Sequence, residues 1–323
     1  MRVLVTGGTG FVGSHVVDAL ARAGHEVRAL VRPGRSQRWL AELDVERAEG
    51  SLSGDGLDDA VRGVDAIVHV AGLTRGMAWQ LWEANVRGTE RLLLACRRSR
   101  VDGVRFILGS SQAAAGPSAR GTPRTEDDPP RPTTAYGVSK LEAERRVRAE
   151  GKRLRPIILR FVTVYGPRDR DILPLFRWAD RGFGFIAGPN EPRFQLVHAT
   201  DAARAVVHAL AAGDGAGATL FVGHPRPYGW RDVLAALEKA LDHSVRPVRV
   251  PRPFVLAAGA LATALRVGHV KPGVIDVRRA RDLYAYWLCD VDRAREVLDW
   301  TAELDLMRGI RDTVEWYRQK DWL

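Results

Sequence analysis

The chain has 323 residues, 46% of them hydrophobic, which is enough for a sizeable core built as one large domain or as one domain with a lobe. A formal net charge of +10 and a pI near 10.2 do not mark a nucleic-acid surface, because the basic residues are mostly arginine and are scattered among Asp and Glu. Two cysteines, Cys96 and Cys289, each sit in an apolar run; that excludes a disulfide framework and reads as reduced, buried thiols.

Met1-Arg2 leads at once into strand-like sequence and leaves no room for a signal peptide, so a cytoplasmic protein is expected. A first strand, Val3 to Val5, meets the turn Thr6-Gly-Gly-Thr-Gly-Phe-Val-Gly13 and then a helix-like run from Ser14 to Ala23. Such a turn is where a dinucleotide pyrophosphate rests on a helix N-terminus. Gly7, Gly10 and Gly13 permit the tight turn, the backbone approach and the helix-on-strand packing, and Phe11 and Val12 add backbone donors. Further strands are predicted at Val27 to Val31, Val45 to Ala48, Ala66 to Val70, Arg105 to Leu108 and Pro156 to Leu159. Helix-like stretches lie between them, with apolar spacing such as Leu81, Ala84, Val86, Leu92, Leu94 and Ala95. This is the βαβ rhythm of an α/β fold with a parallel sheet.

The second strand ends Ala29-Leu30-Val31-Arg32-Pro33-Gly34-Arg35-Ser36. An acid there would bind the ribose 2′-hydroxyl of NAD; it is missing. Arg32 and Arg35, with Ser36 as a hydroxyl donor, suit the 2′-phosphate of NADP, which is favoured over NAD. The segment Gly116 to Thr134, rich in Pro, Gly and charge, borders a substrate pocket or is plain surface loop. Beyond Arg160 the rhythm breaks, and Pro167, Pro174, Gly182, Gly184, Gly188 and Pro189 punctuate a region without regular strands until Phe194 to Val197. A helix-like run from Thr200 to Ala211 and a strand-like run from Thr219 to Val222 follow. The longest uncharged stretch, Pro253 to Leu265, falls short of the roughly 20 residues that span a bilayer. It is either a buried helix or a surface that touches membrane or a lipophilic substrate, and no integral membrane segment is expected.

Tyr136-Gly-Val-Ser-Lys140 carries the chemistry. On a helix Tyr136 and Lys140 are one turn apart and share a face, so an ammonium and a cofactor ribose act on one phenol and lower its pKa from about 10. Together with the glycine turn, this segment resembles the extended branch of the short-chain dehydrogenase/reductase superfamily, the NAD(P)-dependent epimerase/dehydratase family, and the resemblance covers nearly the whole chain. It implies a Rossmann-type doubly wound parallel sheet with a smaller, discontinuous substrate-binding lobe. The cofactor domain would be 1-165 plus 198-222, and the lobe 166-197 plus 223-323.

The resemblance also distributes roles. Counting from Gly116, Ser111 falls on the catalytic Ser/Thr position, with a hydroxyl that donates to the reacting oxygen while Tyr136 protonates it; Lys140 holds the nicotinamide ribose, and no metal is needed. Ser51 and Leu52 stand where the family often has Asp-Leu at the adenine, and Ala71 and Gly72 are small residues that admit the cofactor backbone contact. Asn85 matches a family Asn below the site, with a structural or a proton-relay role. His198 matches a re-entry segment and reads as structural. Phe161 replaces a common Pro in the loop that, with Val164, faces the nicotinamide. Gln112-Ala113 lacks the acid pair of the sugar-nucleotide 4,6-dehydratases, which disfavours dehydration.

The carboxy-terminal pattern, from Leu283, Trp287 and Asp290 to Trp316-Tyr317, resembles 3β-hydroxysteroid dehydrogenase-like and dihydroflavonol reductase-like members. The resulting expectation is an NAD(P)-dependent oxidoreductase that transfers a hydride to or from an alcohol or ketone of a small lipophilic substrate. A nucleotide-sugar epimerase or reductase, with Arg168, Arg193, Arg226 and Arg231 as candidates for a pyrophosphate clamp, and a non-enzymatic cofactor sensor are the alternatives. A homodimer, pairing the helices around Trp82 to Cys96 and Lys140 to Arg148, is expected by analogy; no nucleic-acid partner is.

Overall fold

Burial alternates along the strands and dictates the layering. Val3 and Val5 pack to one side of the first strand and Leu4 to the other; Ala66 and Val68 oppose Ile67, and Ile157 and Leu159 oppose Ile158. A strand whose two faces are both apolar must be covered on both faces, as parallel sheets are. The computed structural model describes residues 1–187, 192–213, 215–250, 253, 257 and 282–323. The run Pro253 to Leu265, apart from Pro253 and Ala257, lies outside the described residues.

In chain order the strands are β1 (Arg2–Thr6), β2 (Glu26–Val31), β3 (Glu46–Glu49), β4 (Ala66–His69), β5 (Arg105–Ser111), β6 (Arg155–Phe161), β7 (Thr163–Tyr165), β8 (Phe183–Ala187), β9 (Leu196–His198), β10 (Thr219–Val222) and β11 (Arg246–Val250). The helices are α1 (Phe11–Arg22), α2 (Leu57–Val61), α3 (Ala78–Trp82), α4 (Gly88–Arg98), α5 (Gln112–Ala115), α6 (Ala135–Arg148), α7 (Leu173–Asp180), α8 (Ala199–Ala211), α9 (Trp230–Leu241), α10 (Asp292–Leu298) and α11 (Leu306–Gln319). Seven parallel strands form one sheet in the order β3-β2-β1-β4-β5-β6-β10. The order reverses between β1 and β4, which opens a crevice at their carboxyl ends.

One apolar cluster joins the sheet to α1 and α8 through Val16, Leu20, Val206 and Leu210. A second joins its other face to α2, α4 and α6 through Val61, Leu92, Phe106 and Val147. A third, apart from both, gathers Tyr165, Phe176, Leu237, Ile310 and Tyr317 from β7, α7, α9 and α11. Both cysteines are free and buried. No helix among the described residues is long and apolar enough to cross a membrane.

Two expectations are corrected. The stretch between Arg160 and Phe194 is not free of strands: β7 pairs with β9 and β8 with β11. Both partners lie far along the chain, so the pairing leaves no local period. Leu94, placed by its spacing in the core, is 46% exposed. A π-helical turn, Glu83–Arg87, precedes α4. Within α4 the buried Thr89, Leu92, Leu93 and Cys96 keep the ordinary helical spacing, and Leu94, two residues or roughly 200° beyond Leu92, turns outward.

A buried ionic contact fixes α6 to the sheet. Glu144 accepts the Arg160 guanidinium through two bonds, at 2.9 and 2.8 Å, and the Ser110 hydroxyl at 2.6 Å. Glu144 and Arg160 are almost fully enclosed. Removing one charge of such a pair strands the other in a medium that cannot solvate it, at a cost of about 3–5 kcal/mol. Glu144→Gln is therefore expected to lower unfolding stability by that amount in urea titrations; a change below about 1 kcal/mol would show that the pair does not anchor α6.

Candidate cofactor cleft and active site

The crevice between β1 and β4 opens into a cleft of about 800 Å³. Its floor is backbone. Gly7 adopts φ +80°, and a Cβ there would lie 2.6 Å from the Ala71 nitrogen. At Gly13 a Cβ would fall inside the van der Waals shell of the Gly7 carbonyl oxygen. The turn is closed by Gly10 N–H donating to Gly7 O at 2.9 Å. Gly10 caps α1 without a side-chain acceptor, and no acidic residue occupies the first turn. The N–H groups of Phe11, Val12 and Gly13 thus have no intrahelical partner and face an open cleft. This is the donor set an anionic pyrophosphate needs, so the cradle fits a dinucleotide.

Gly7, Gly10, Phe11, Val12, Gly13, Arg32, Ser51, Leu52, Ala71 and Gly72 all line this cleft. Arg35 and Ser36 stand on an exposed turn outside its lining. Asn85 acts behind the wall: its Oδ1 accepts the Leu73 N–H at 2.8 Å, and its Nδ2 donates to Leu73 O and to Ser139 Oγ, both at 2.9 Å. These bonds bracket the loop after β4 against α6. His198 caps α8, accepting the Thr200 N–H, and its Nε2 lies 3.2 Å from Asp312; both contacts are structural.

Helix α6 starts where Thr134 Oγ1 accepts the Gly137 N–H at 3.1 Å, so Tyr136 lies in its first turn. Gly137 abuts the Ala113 carbonyl so closely that a Cβ would collide with it. That contact sets the first turn of α6 on α5, whose N-cap is Ser111. Ser111 Oγ accepts the Ala113 N–H at 3.2 Å. Lys140 is buried, and its Nζ donates to the Gly109 carbonyl. A Cβ on Gly72 would lie 3.9 Å from that Nζ, so the ammonium sits beside the cleft floor. Burial pushes Lys140 down to about 8, opposed by the charge of Glu144. Phe161 is the β6 partner of Ser111 in register, and Val164 pairs with Val197; neither lines the cleft.

Sequence reasoning missed several residues. His69, fully enclosed, contacts Thr6 Oγ1 at 2.6 Å and Thr89 Oγ1 at 2.9 Å, and Thr89 donates to Asn85 O. The last bond uses the Thr89 proton, so His69 Nε2 donates to Thr89 and Nδ1 accepts from Thr6. Burial, with the charge of Lys140 adding to it, pushes its pKa down to about 3 and keeps it neutral. Arg38, Trp39 and Arg170 also line the cleft, beside Arg168, which was expected in a substrate clamp instead. Nothing periodic in the sequence marks them.

A family model described as NAD dependent epimerase/dehydratase family matches residues 3–223. A ceramide reductase of Caulobacter vibrioides is 31% identical over 99% of this chain and 96% of its own. A decarboxylating sterol-4-alpha-carboxylate 3-dehydrogenase of Candida albicans is 25% identical over 98% of this chain and 97% of its own. Among solved structures, MoeE5 in complex with UDP-glucuronic acid and NAD superposes with a TM-score of 0.78 at 27% identity, covering 99% of this chain and all of that one.

Gly10 and Gly13 differ in the room around them. A Cβ at Gly10 would meet Gly7 O at 3.2 Å, whereas one at Gly13 would overlap it. Gly13→Ala is expected to weaken cofactor binding by about 10- to 100-fold and Gly10→Ala by clearly less, read from the fluorescence of the reduced cofactor. Equal losses would mean that the Gly13 contact does not shape the cradle.

Proposed function

We propose, from the premise that this chain belongs to the NAD dependent epimerase/dehydratase family, that it is an oxidoreductase transferring a hydride between a nicotinamide cofactor and the alcohol or ketone carbon of a small lipophilic substrate. Two contacts support this reading: Lys140 Nζ would come within 3.9 Å of a Cβ on Gly72 in the cleft floor, and the first turn of α6, which carries Tyr136, packs through Gly137 on α5, whose N-cap is Ser111. A bound nicotinamide supplies the hydride chemistry. The Tyr136 phenol gives a proton to the substrate oxygen or takes one from it, and the Ser111 hydroxyl donates to that same oxygen. Lys140 stabilises the phenolate and binds ribose hydroxyls. The relatives that act on a ceramide and on a sterol carboxylate support the lipophilic class.

Arg32 in the cleft, with no acid at the end of β2, supports NADP over NAD. The division into a cofactor domain, 1-165 plus 198-222, and a substrate lobe, 166-197 plus 223-323, is the organisation we assign; the third cluster supports it, while Cys289, Ala294, Leu298 and Trp300 return from the lobe's second span to the sheet's own core. The nucleotide-sugar alternative has the likeness to MoeE5 in its favour. Two of its four clamp candidates are committed elsewhere: Arg193 pairs with Asp232 at 2.8 Å, and Arg168 faces the cofactor cleft.

Tyr136→Phe keeps the ring, so folding and cofactor affinity should persist while turnover on steroid or ceramide-like ketones falls by roughly 10²–10⁴. Lys140→Met should damage turnover and cofactor binding together. In the unaltered protein cofactor affinity should fall as pH rises through about 8, where Lys140 loses its charge; Lys140→Met should lose that inflection. Near-full turnover by Tyr136→Phe would remove the mechanism.

A homodimer through the helices around Trp82 to Cys96 and through α6 is supported by Trp82 at the end of α3, Leu94 on α4 and Val138 on α6, which are 39%, 46% and 43% exposed. Light scattering at micromolar concentration is expected to give twice the chain mass, and a monomer would exclude that interface.

A further inference from the structure

The loop between β7 and α7 brings a second set of cations to the cofactor cleft. We infer that Arg170 from this loop, together with Arg38 from the segment after β2, forms the site that takes the 2′-phosphate of the cofactor. This rests on the NADP reading above and deepens it by assigning the specificity to a loop far along the chain from the glycine turn.

Place comes first. In sheets of this order the adenine ribose lies at the end of the second strand, and Arg32 and Arg38 both follow β2 and line the cleft. Arg170, from the loop after β7, lines it too. The two guanidiniums converge on one ring: Arg38 is 5.8 Å and Arg170 5.0 Å from the centroid of Trp322. Arg38 is also held 4.1 Å over Trp39, which packs on Trp316 at 5.6 Å. Stacking on indole fixes a guanidinium plane before any anion arrives.

Charge comes second. Neither Arg38 nor Arg170 has an ion-pair partner among the described residues, and the acids nearest Arg170 are engaged. Asp169 is buried and accepts the Asp171 N–H at 2.7 Å, and Asp171 pairs with Arg75 at 3.4 Å. Burial, and then the charge of Arg170, hold the Arg38 guanidinium below its ordinary value. Two like charges kept together with no carboxylate between them call for a dianion, and the planar forks match phosphate oxygens. Of the two arginines that the local sequence pattern favours, Arg32 lines the cleft and Arg35 does not.

The test titrates NADPH and NADH by fluorescence, and adenosine 2′,5′-bisphosphate by calorimetry, into the full chain and into Arg170→Gln, Arg170→Lys, Arg38→Gln and Arg32→Asp. Arg170 is exposed in its loop, and melting curves confirm that each variant is folded. Arg170→Gln and Arg38→Gln should each weaken NADPH and the bisphosphate by about 10- to 100-fold and NADH by less than about 2-fold, with Arg170→Lys in between. Equal losses on NADPH and NADH would place these cations on the pyrophosphate and overturn the inference, as would unchanged NADPH affinity in Arg170→Gln. If the unaltered chain prefers NADPH and only Arg32→Asp abolishes that preference, this inference fails and the NADP reading stands. If the unaltered chain has no preference for NADPH, both fail.

Discussion

The site depends on a contact between two stretches of backbone. The turn after β1 lies on the exit of β4 so closely that Gly7 and Ala71 leave no space for a side chain between them. Because that floor is peptide, its unpaired N–H groups are offered to the cleft without any side-chain rotamer to order, and the helix N-terminus adds its field. Every other group is measured from this floor: Arg32 lies at one end, Gly72 and Lys140 at the other. The neutral His69 bridge from Thr6 to Thr89 holds the two strand ends and the turn of Asn85 in one unit.

Lys140 shows what the arrangement costs. An ammonium taken out of water favours its neutral form, and its pKa falls from 10.5 to about 8. Below about pH 8 the folded chain carries the full penalty. Between about 8 and 10.5 the unfolded chain binds more protons than the folded one, so this group makes stability rise with pH, by a total of roughly 3 kcal/mol at most. Selection for stability alone would not keep such a residue. Lys140 Nζ donates to the Gly109 carbonyl and lies near Gly72 in the cleft floor, and a strongly shifted buried group beside a cleft marks a candidate functional position.

Much of this was legible in the sequence because it is local. The alternation at Val3, Leu4 and Val5, the glycine spacing from Gly7 to Gly13 and the one-turn interval from Tyr136 to Lys140 each lie within one element. The pairing of β8 with β11 was not legible, since its partners are far apart and β11 carries Arg and Pro among its valines. Leu94 was misplaced because the apolar run Leu92-Leu93-Leu94-Ala95-Cys96 is continuous, so composition alone does not say which of its residues the helix turns outward. Arg38 and Arg170 escaped notice for a related reason: each lies in an irregular segment, and only the tertiary fold sets them beside the same indole.

That indole follows α11 and backs two arginines that line the cleft. Tyr317 donates to the Asp169 carbonyl at 2.6 Å and stacks on Trp322, while Trp316 touches Trp39 in the segment after β2. The loop so held contains Arg168 at φ +72°, a left-handed conformation that costs a non-glycine residue about 1 kcal/mol or more and persists only when its surroundings over-determine it. Here the buried Tyr317 bond does so one residue away. Helix α11 thus packs the third cluster with one face and, through Tyr317 and Trp316, holds the β7–α7 loop and the segment after β2, whose Arg170 and Trp39 line the cleft.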